Sequence, residues 1–261
     1  MPKIHPTSIV NPKAEISDDI EIGPFCLIEE DVRIGKGTKI LDHVTIYNGA
    51  RLGENNTIFP GAVISAVPQD LKFGGEYTEA FIGNNNTIRE CVTISRATAG
   101  TYKTIVGSNC LLMAYSHVAH DCRVGDNCIL ANSVALAGHV HIEDYVILGG
   151  LVGVHQFVNI GRHCMIGAHS MVVKDVPPFS LFSGNPLEYN GLNVKGLRRR
   201  NFSNESIELL KKAYNFIFDS SLNVTQAVEL ICKELPGTDE INHLVNFINS
   251  SSRGITRKSG I

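Results

Sequence analysis

The aliphatic residues of this 261-residue chain keep a period of six. Val10, Ile16, Ile22, Ile28, Ile34, Ile40, Ile46, Leu52, Ile58 and Ile64 form one run. The rhythm resumes at Ile82, Ile88 and Ile94, and again from Val106 through Val118, Leu136 and Val154 to Val172. Neither an amphipathic helix nor an alternating strand has this period. Calling the aliphatic position i, Gly follows at i+1 in Gly23, Gly35, Gly53, Gly125 and Gly161, where a turn asks for little side chain or a positive φ. Asn56, Asn86, Asn109 and Asn127 follow two or three places later, and Asn tolerates left-handed backbone. Each unit therefore reads as a short strand plus a turn. Three units would close a triangular coil of 18 residues whose neighbours pair in parallel about 4.8 Å apart.

This pattern resembles the hexapeptide-repeat family, which implies a mainly β fold, a left-handed parallel β-helix, over residues 1–190. The left hand comes from the resemblance, since parallel crossovers are ordinarily right-handed. Cys26, Cys110, Cys122, Cys128 and Cys164 all fall at i+4, a position shared with Ala62, Val134 and Val140, and read as core rather than as nucleophiles. Two stretches, Ser65 to Ala80 and Ser95 to Thr104, break the rhythm and read as surface loops able to carry binding groups. Beyond Val176-Pro177-Pro178 the pattern turns helical, with starts at Ser203, at Asn223 or Thr225, and at Thr238, so residues 191–261 read as a helical cap on the prism. Ser251 to Ile261 reads as a loose tail.

A net charge of −3 excludes whole-surface nucleic-acid binding and leaves Arg198-Arg199-Arg200 as the one basic run. No stretch has the 18 apolar residues of a membrane span, and the N-terminus has no signal-peptide core, so the expected location is the cytoplasm. Seven cysteines without a Cys-x-x-Cys pair indicate neither a disulfide framework nor a zinc ribbon.

Stacking at 18 residues places the chemistry. His120, Gly138 and Gln156 differ by 18 and share one corner column, and Asp121 with His139 forms the column beside it. The patch offers a base that titrates near neutrality, a carboxylate next to it, and a backbone N–H at a position with no side chain. These are the parts of an acyl-transfer site. His117 and His120 raise the possibility of zinc, but their spacing is not that of the γ-class carbonic anhydrases, and no metal is expected. His141, His163 and His169 read as surface residues.

The run His117 to Cys122, then Leu136-Ala137-Gly138-His139-Val140 and His155-Gln156-Phe157, with Gln69-Asp70-Leu71-Lys72 before and Asn193 to Ser203 after, resembles the UDP-N-acetylglucosamine O-acyltransferases over essentially the whole chain. The resemblance implies transfer of a 3-hydroxyacyl chain from acyl carrier protein to the sugar 3-hydroxyl of the UDP-sugar, opening lipid A biosynthesis. It implies a homotrimer with the cleft between prisms, no cofactor and no covalent intermediate. His120 would be the base, Asp121 its partner and Gly138 the oxyanion donor. Gln69, Asp70, Lys72, His117, His139, His155, Gln156, Asn193, Arg199 and Arg200 would bind substrate, and Ala168 would set acyl length. Ala168 replaces a familiar Gly, Ser95 a frequent His and Lys195 a frequent Glu. Alternatives are the lipid A N-acyltransferases, which carry an N-terminal nucleotide-binding domain before their repeats where here the repeats begin by Val10; a CoA-dependent acetyltransferase; a carbonic-anhydrase-like zinc protein; and a silent trimeric scaffold.

Overall fold

The computed structural model describes residues 1–218 and 221–256. Strands of two to four residues stack into three flat walls, parallel throughout the repeat region. The register repeats each coil: His117 pairs with Ala135 and Val118 with Leu136, then Leu136 with Val154 and Val154 with Val172. The aliphatic positions and the small i+4 residues both point inward and are buried, Val118, Leu136 and Cys122 completely. Each full side-chain burial contributes about 1.5–3 kcal/mol before chain entropy is charged against it. Burial pushes the Cys122 thiol up to about 12, which keeps it protonated.

Two details of the turns differ from the sequence reading. In most units a left-handed residue stands at i+3, and the position is occupied by Phe25, His43, Tyr115, Asp121, His139 and Phe157 as readily as by Asn109 or Asn127. Glycine at i+1 answers a steric need instead: a Cβ on Gly35 would lie 2.7 Å from the backbone of Gly53 in the next coil. Asn56 and Asn86 are not turn residues at all. Both are buried at i+4, where each side chain donates to a carbonyl of the next coil (Gly83 and Gly107, both 2.9 Å) and accepts from the N–H of Asn86 and Cys110 respectively. They form an internal hydrogen-bonded ladder that satisfies polar groups inside the prism.

Both insertions leave the prism at one corner, between the wall containing Val63–Ala66, Thr93–Ser95 and His117–Val118 and the wall containing Glu79–Ile82, Lys103–Val106 and Arg123–Val124. They come from successive coils, and His120 is at the same corner one coil further on. Residues of both loops lie around His120 at this corner.

The prism ends in an antiparallel pair, Ser180–Ser183 with Glu188–Leu192, so the expected boundary at 190 falls inside a strand. Among the described residues four helices follow: α1 Val194–Arg199, α2 Asn204–Phe218, α3 Val224–Glu234 and α4 Asp239–Ser250. Asn223 caps α3 through a reciprocal box with Gln226, and Thr238 caps α4. A second core gathers Phe179, Leu197, Leu210, Tyr214, Ile231 and Leu244. His163 is not a surface residue but joins the two cores: it stacks between Tyr145 (4.9 Å) and Phe179 (5.7 Å) and is 8% exposed. The first part of the tail is not loose, since Ile255 bridges to Asp175 and Ser251 donates to its carboxylate at 2.6 Å. Residues 257–261 of that expected tail lie outside the described residues.

Candidate active site

Asp121 occupies the left-handed turn position, held there by Thr104 Oγ1, which accepts its backbone N–H at 2.9 Å. That turn aims the carboxylate at its own neighbour. His120 Nδ1 lies 2.7 Å from Asp121 Oδ2, with the side chains 14% and 0% exposed, so Nε2 is the nitrogen left for a substrate. The second insertion closes over the carboxylate. Thr98 Oγ1 donates to Oδ2 at 2.8 Å, Thr101 Oγ1 to Oδ1 at 2.5 Å and Thr101 N to Oδ1 at 3.0 Å. Burial opposes ionisation of Asp121, but the hydrogen bonds from Thr101, His120 and Thr98 and the nearby His139 outweigh it and hold the carboxyl below its ordinary range.

Gly138 is directly under the His120 ring: an added Cβ would lie 2.5 Å from Cε1 and 2.6 Å from Nε2. Its N–H has no acceptor among the described residues. His139 is edge-on to His120 at 5.3 Å and stacks on Phe157 at 4.6 Å. His117 Nδ1 pairs with Thr93 Oγ1 at 2.7 Å; burial, and secondarily His120, depress its basicity and keep it neutral.

The cleft has two halves that meet at His120. One, of about 690 Å³, carries most of the polar side chains, Gln69, Asp70, Lys72, Glu76, Thr98, His139 and Gln156, with Leu71 and Phe157 among them. The other, of about 480 Å³, runs down the wall over Ala135, Leu136, Gly138, Gly153 and Val154 to Met171, and is bordered also by Ser95, His117 and His155. The first half suits a polar substrate and the second an alkyl chain.

Four expected site residues do not border this cleft within the single chain. Asn193 is buried, caps α1 by accepting from Gly196 N, and donates to the His163 carbonyl at 3.0 Å. Arg200 reaches the Tyr145 carbonyl and covers that ring, at a different corner of the prism from His120; Arg199 is exposed beside it in the last turn of α1. Ala168 is exposed with its backbone against Gly149, and Met171 is among the residues that border the apolar groove. The sequence contained that signal: His117, Ala135, Gly153 and Met171 are 18 apart and share one column, as do Asp121, His139 and Phe157. Thr98, Thr101 and Glu76 had none, because the insertions are out of phase with the coil.

His120, Asp121 and His139 have ligand atoms close enough to surround a metal ion. The donor set argues otherwise, because both Asp121 oxygens already accept from threonines and His120 Nδ1 is committed to Oδ2.

A triangular prism of six-residue units with a His–Asp pair over an uncovered backbone N–H defines a hexapeptide-repeat acyltransferase. The bacterial transferase hexapeptide model matches residues 103–138, and the model for domain 2 of the UDP-N-acetylglucosamine O-acyltransferases matches residues 175–256. The acyl-acyl-carrier-protein–UDP-N-acetylglucosamine O-acyltransferase of Thermodesulfovibrio yellowstonii is 50% identical over 98% of this chain and 100% of its own, and that of Halorhodospira halophila 45% over the same shares. The solved UDP-N-acetylglucosamine acyltransferase of Bacteroides fragilis superposes with a TM-score of 0.96 at 47% identity, covering 97% of this chain and 100% of that one. The Francisella novicida enzyme gives 0.96 at 40%, covering 98% and 95%. The chain belongs to the UDP-N-acetylglucosamine O-acyltransferase family, and its coil has the left hand of that fold.

Proposed function

We propose that this chain transfers a 3-hydroxyacyl group from acyl carrier protein to the 3-hydroxyl of UDP-N-acetylglucosamine, the first step of lipid A biosynthesis. The observation that carries the reading is the His120–Asp121 pair at the junction of a polar and an apolar half-cleft. His120 Nε2 takes the hydroxyl proton as the sugar oxygen attacks the thioester carbonyl. The oxyanion forms at the Gly138 N–H. Collapse expels the carrier's thiolate, which receives the proton back from the imidazolium. No cofactor and no acyl-enzyme enter this scheme.

The sugar nucleotide would occupy the side of Gln69, Asp70, Lys72, His139 and Gln156, and the acyl chain the groove that Met171 borders. Arg199 and Arg200, on another corner, would serve the phosphates of a neighbouring copy's cleft, which supports a homotrimer. No helix among the described residues is long and apolar enough to cross a membrane, and a cytoplasmic location is part of the proposed reading.

Purified chain, UDP-N-acetylglucosamine and 3-hydroxyacyl carrier proteins of graded length, read by product mass, test the reading. One acyl length should dominate, Met171→Gly should move it to longer chains, and prolonged chelation should change nothing. No ester product with any donor overturns the reading, and activity restored only by zinc overturns the metal-free mechanism.

A further inference from the structure

Asp121 is the most heavily coordinated side chain of the site, and most of its partners come from outside the repeat. Thr98 and Thr101 supply hydroxyl donors to one oxygen each, Thr101 adds a backbone N–H, and the Thr98 N–H straddles both oxygens at 3.2 and 3.3 Å. A carboxylate on a bare corner could turn about its Cβ–Cγ bond; one held at both oxygens cannot. Its remaining acceptor direction, on Oδ2, is the one facing His120 Nδ1. The two loops are joined as well. Glu76 of the first accepts from Ala99 N of the second at 2.9 Å and from Gly74 N at 2.8 Å, and the Arg96 guanidinium covers the Phe73 ring at 5.6 Å. Thus the loop that carries Asp70 and Lys72 is fastened to the loop that clamps Asp121.

We propose that Thr98 and Thr101 are positioning residues for catalysis: they lock the Asp121 carboxylate so that His120 keeps its proton on Nδ1 and presents a bare Nε2 to the substrate hydroxyl. The proposal rests on the acyl-transfer reading only for its kinetic test. Both hydroxyls are directed at Asp121, Thr98 Oγ1 at Oδ2 and Thr101 Oγ1 at Oδ1, although Thr98 also borders the polar half-cleft, so their loss should appear in turnover more than in binding. Serine keeps the hydroxyl and should preserve function, whereas valine keeps the shape and removes the donor.

The test is a set of full-length variants, Thr98→Val, Thr101→Val, the double valine and the two serine replacements. They would be assayed with UDP-N-acetylglucosamine and the preferred acyl carrier protein, with melting temperature and ¹⁵N imidazole spectra recorded on the same samples. The double valine should lose at least about tenfold in kcat with both KM values within about twofold, and each serine variant should stay near wild type. In the spectra His120 should be the Nδ1–H tautomer in wild type and a mixture of tautomers in the double valine. An unchanged kcat and unchanged tautomer in the double valine overturn the proposal, as does a loss shared by the serine variants. If the double valine melts too early to assay, the single valines and the spectra decide it. If even the wild type forms no ester, the acyl-transfer reading fails, while the tautomer spectra still decide the clamp.

Discussion

Removing the His120 imidazole removes the ring whose Nδ1 lies 2.7 Å from the Asp121 carboxylate, at the junction of the two half-clefts. His120→Ala is therefore expected to keep its circular dichroism and melting temperature while losing roughly 10²–10⁴-fold in kcat, the range for loss of a general base. Gly138→Ala makes a different point. Its methyl would sit 2.5 Å from the His120 ring, so the ring must move before anything else does. Kinetics should show kcat reduced at least tenfold in a protein that still folds; a wild-type rate would mean that the ring has slack and that its position is not critical. The pairing of His120 with Asp121 and its column with Gly138 could be read from spacing. The ring resting on Gly138 with Nε2 outward could not, because that depends on a left-handed turn at Asp121 which side-chain type alone does not announce.

At the scale of elements, the junction of prism and helices turns on His163. Burial, then Arg200 and Arg162, lower its basicity to about 4 from an ordinary value near 6.5. An unfolded chain takes up this proton as the pH falls through about 6.5, whereas the folded one refuses it until about 4. Between these limits acid favours the unfolded state, and the contribution lost by pH 4 is about 3 kcal/mol. His163→Phe, which preserves the stack between Tyr145 and Phe179, should flatten the fall in denaturation midpoint between pH 6.5 and 4; an equally steep fall in the variant would assign that sensitivity to other groups. Helices α2, α3 and α4 were legible from their caps and apolar runs, whereas α1, Val194–Arg199, was not. The docking of the last described residues on Asp175 was not, since Ser251 and Thr256 carry no periodic signal and their partner is 76 or more positions away.

For the whole molecule the question is whether Arg200, at another corner of the prism, serves the cleft of a neighbouring copy. If neighbouring copies lend each other these corners, then His120→Ala and Arg200→Ala chains, each impaired alone, should complement when refolded together. In random mixtures roughly a quarter of the sites would combine an intact His120 from one copy with an intact Arg200 from the next. Activity that stays at the sum of the separate variants would count against shared clefts, and a monomer by light scattering would count against the trimer itself.

The sequence by itself determined the prism and the column that runs through the His120 corner, because a period of six repeated over the coils buries the aliphatic residues in one prism and so aligns groups 18 apart. It also carried, unread, the column that ends in Met171. What only the tertiary structure decided lies where that period stops. The two insertions fold back across the corner they leave, Thr98 and Thr101 close on Asp121, and Arg200 is carried to a corner other than that of His120. Those contacts join residues whose separation follows no repeat, so they come from packing and hydrogen-bond satisfaction in three dimensions, which no periodicity encodes.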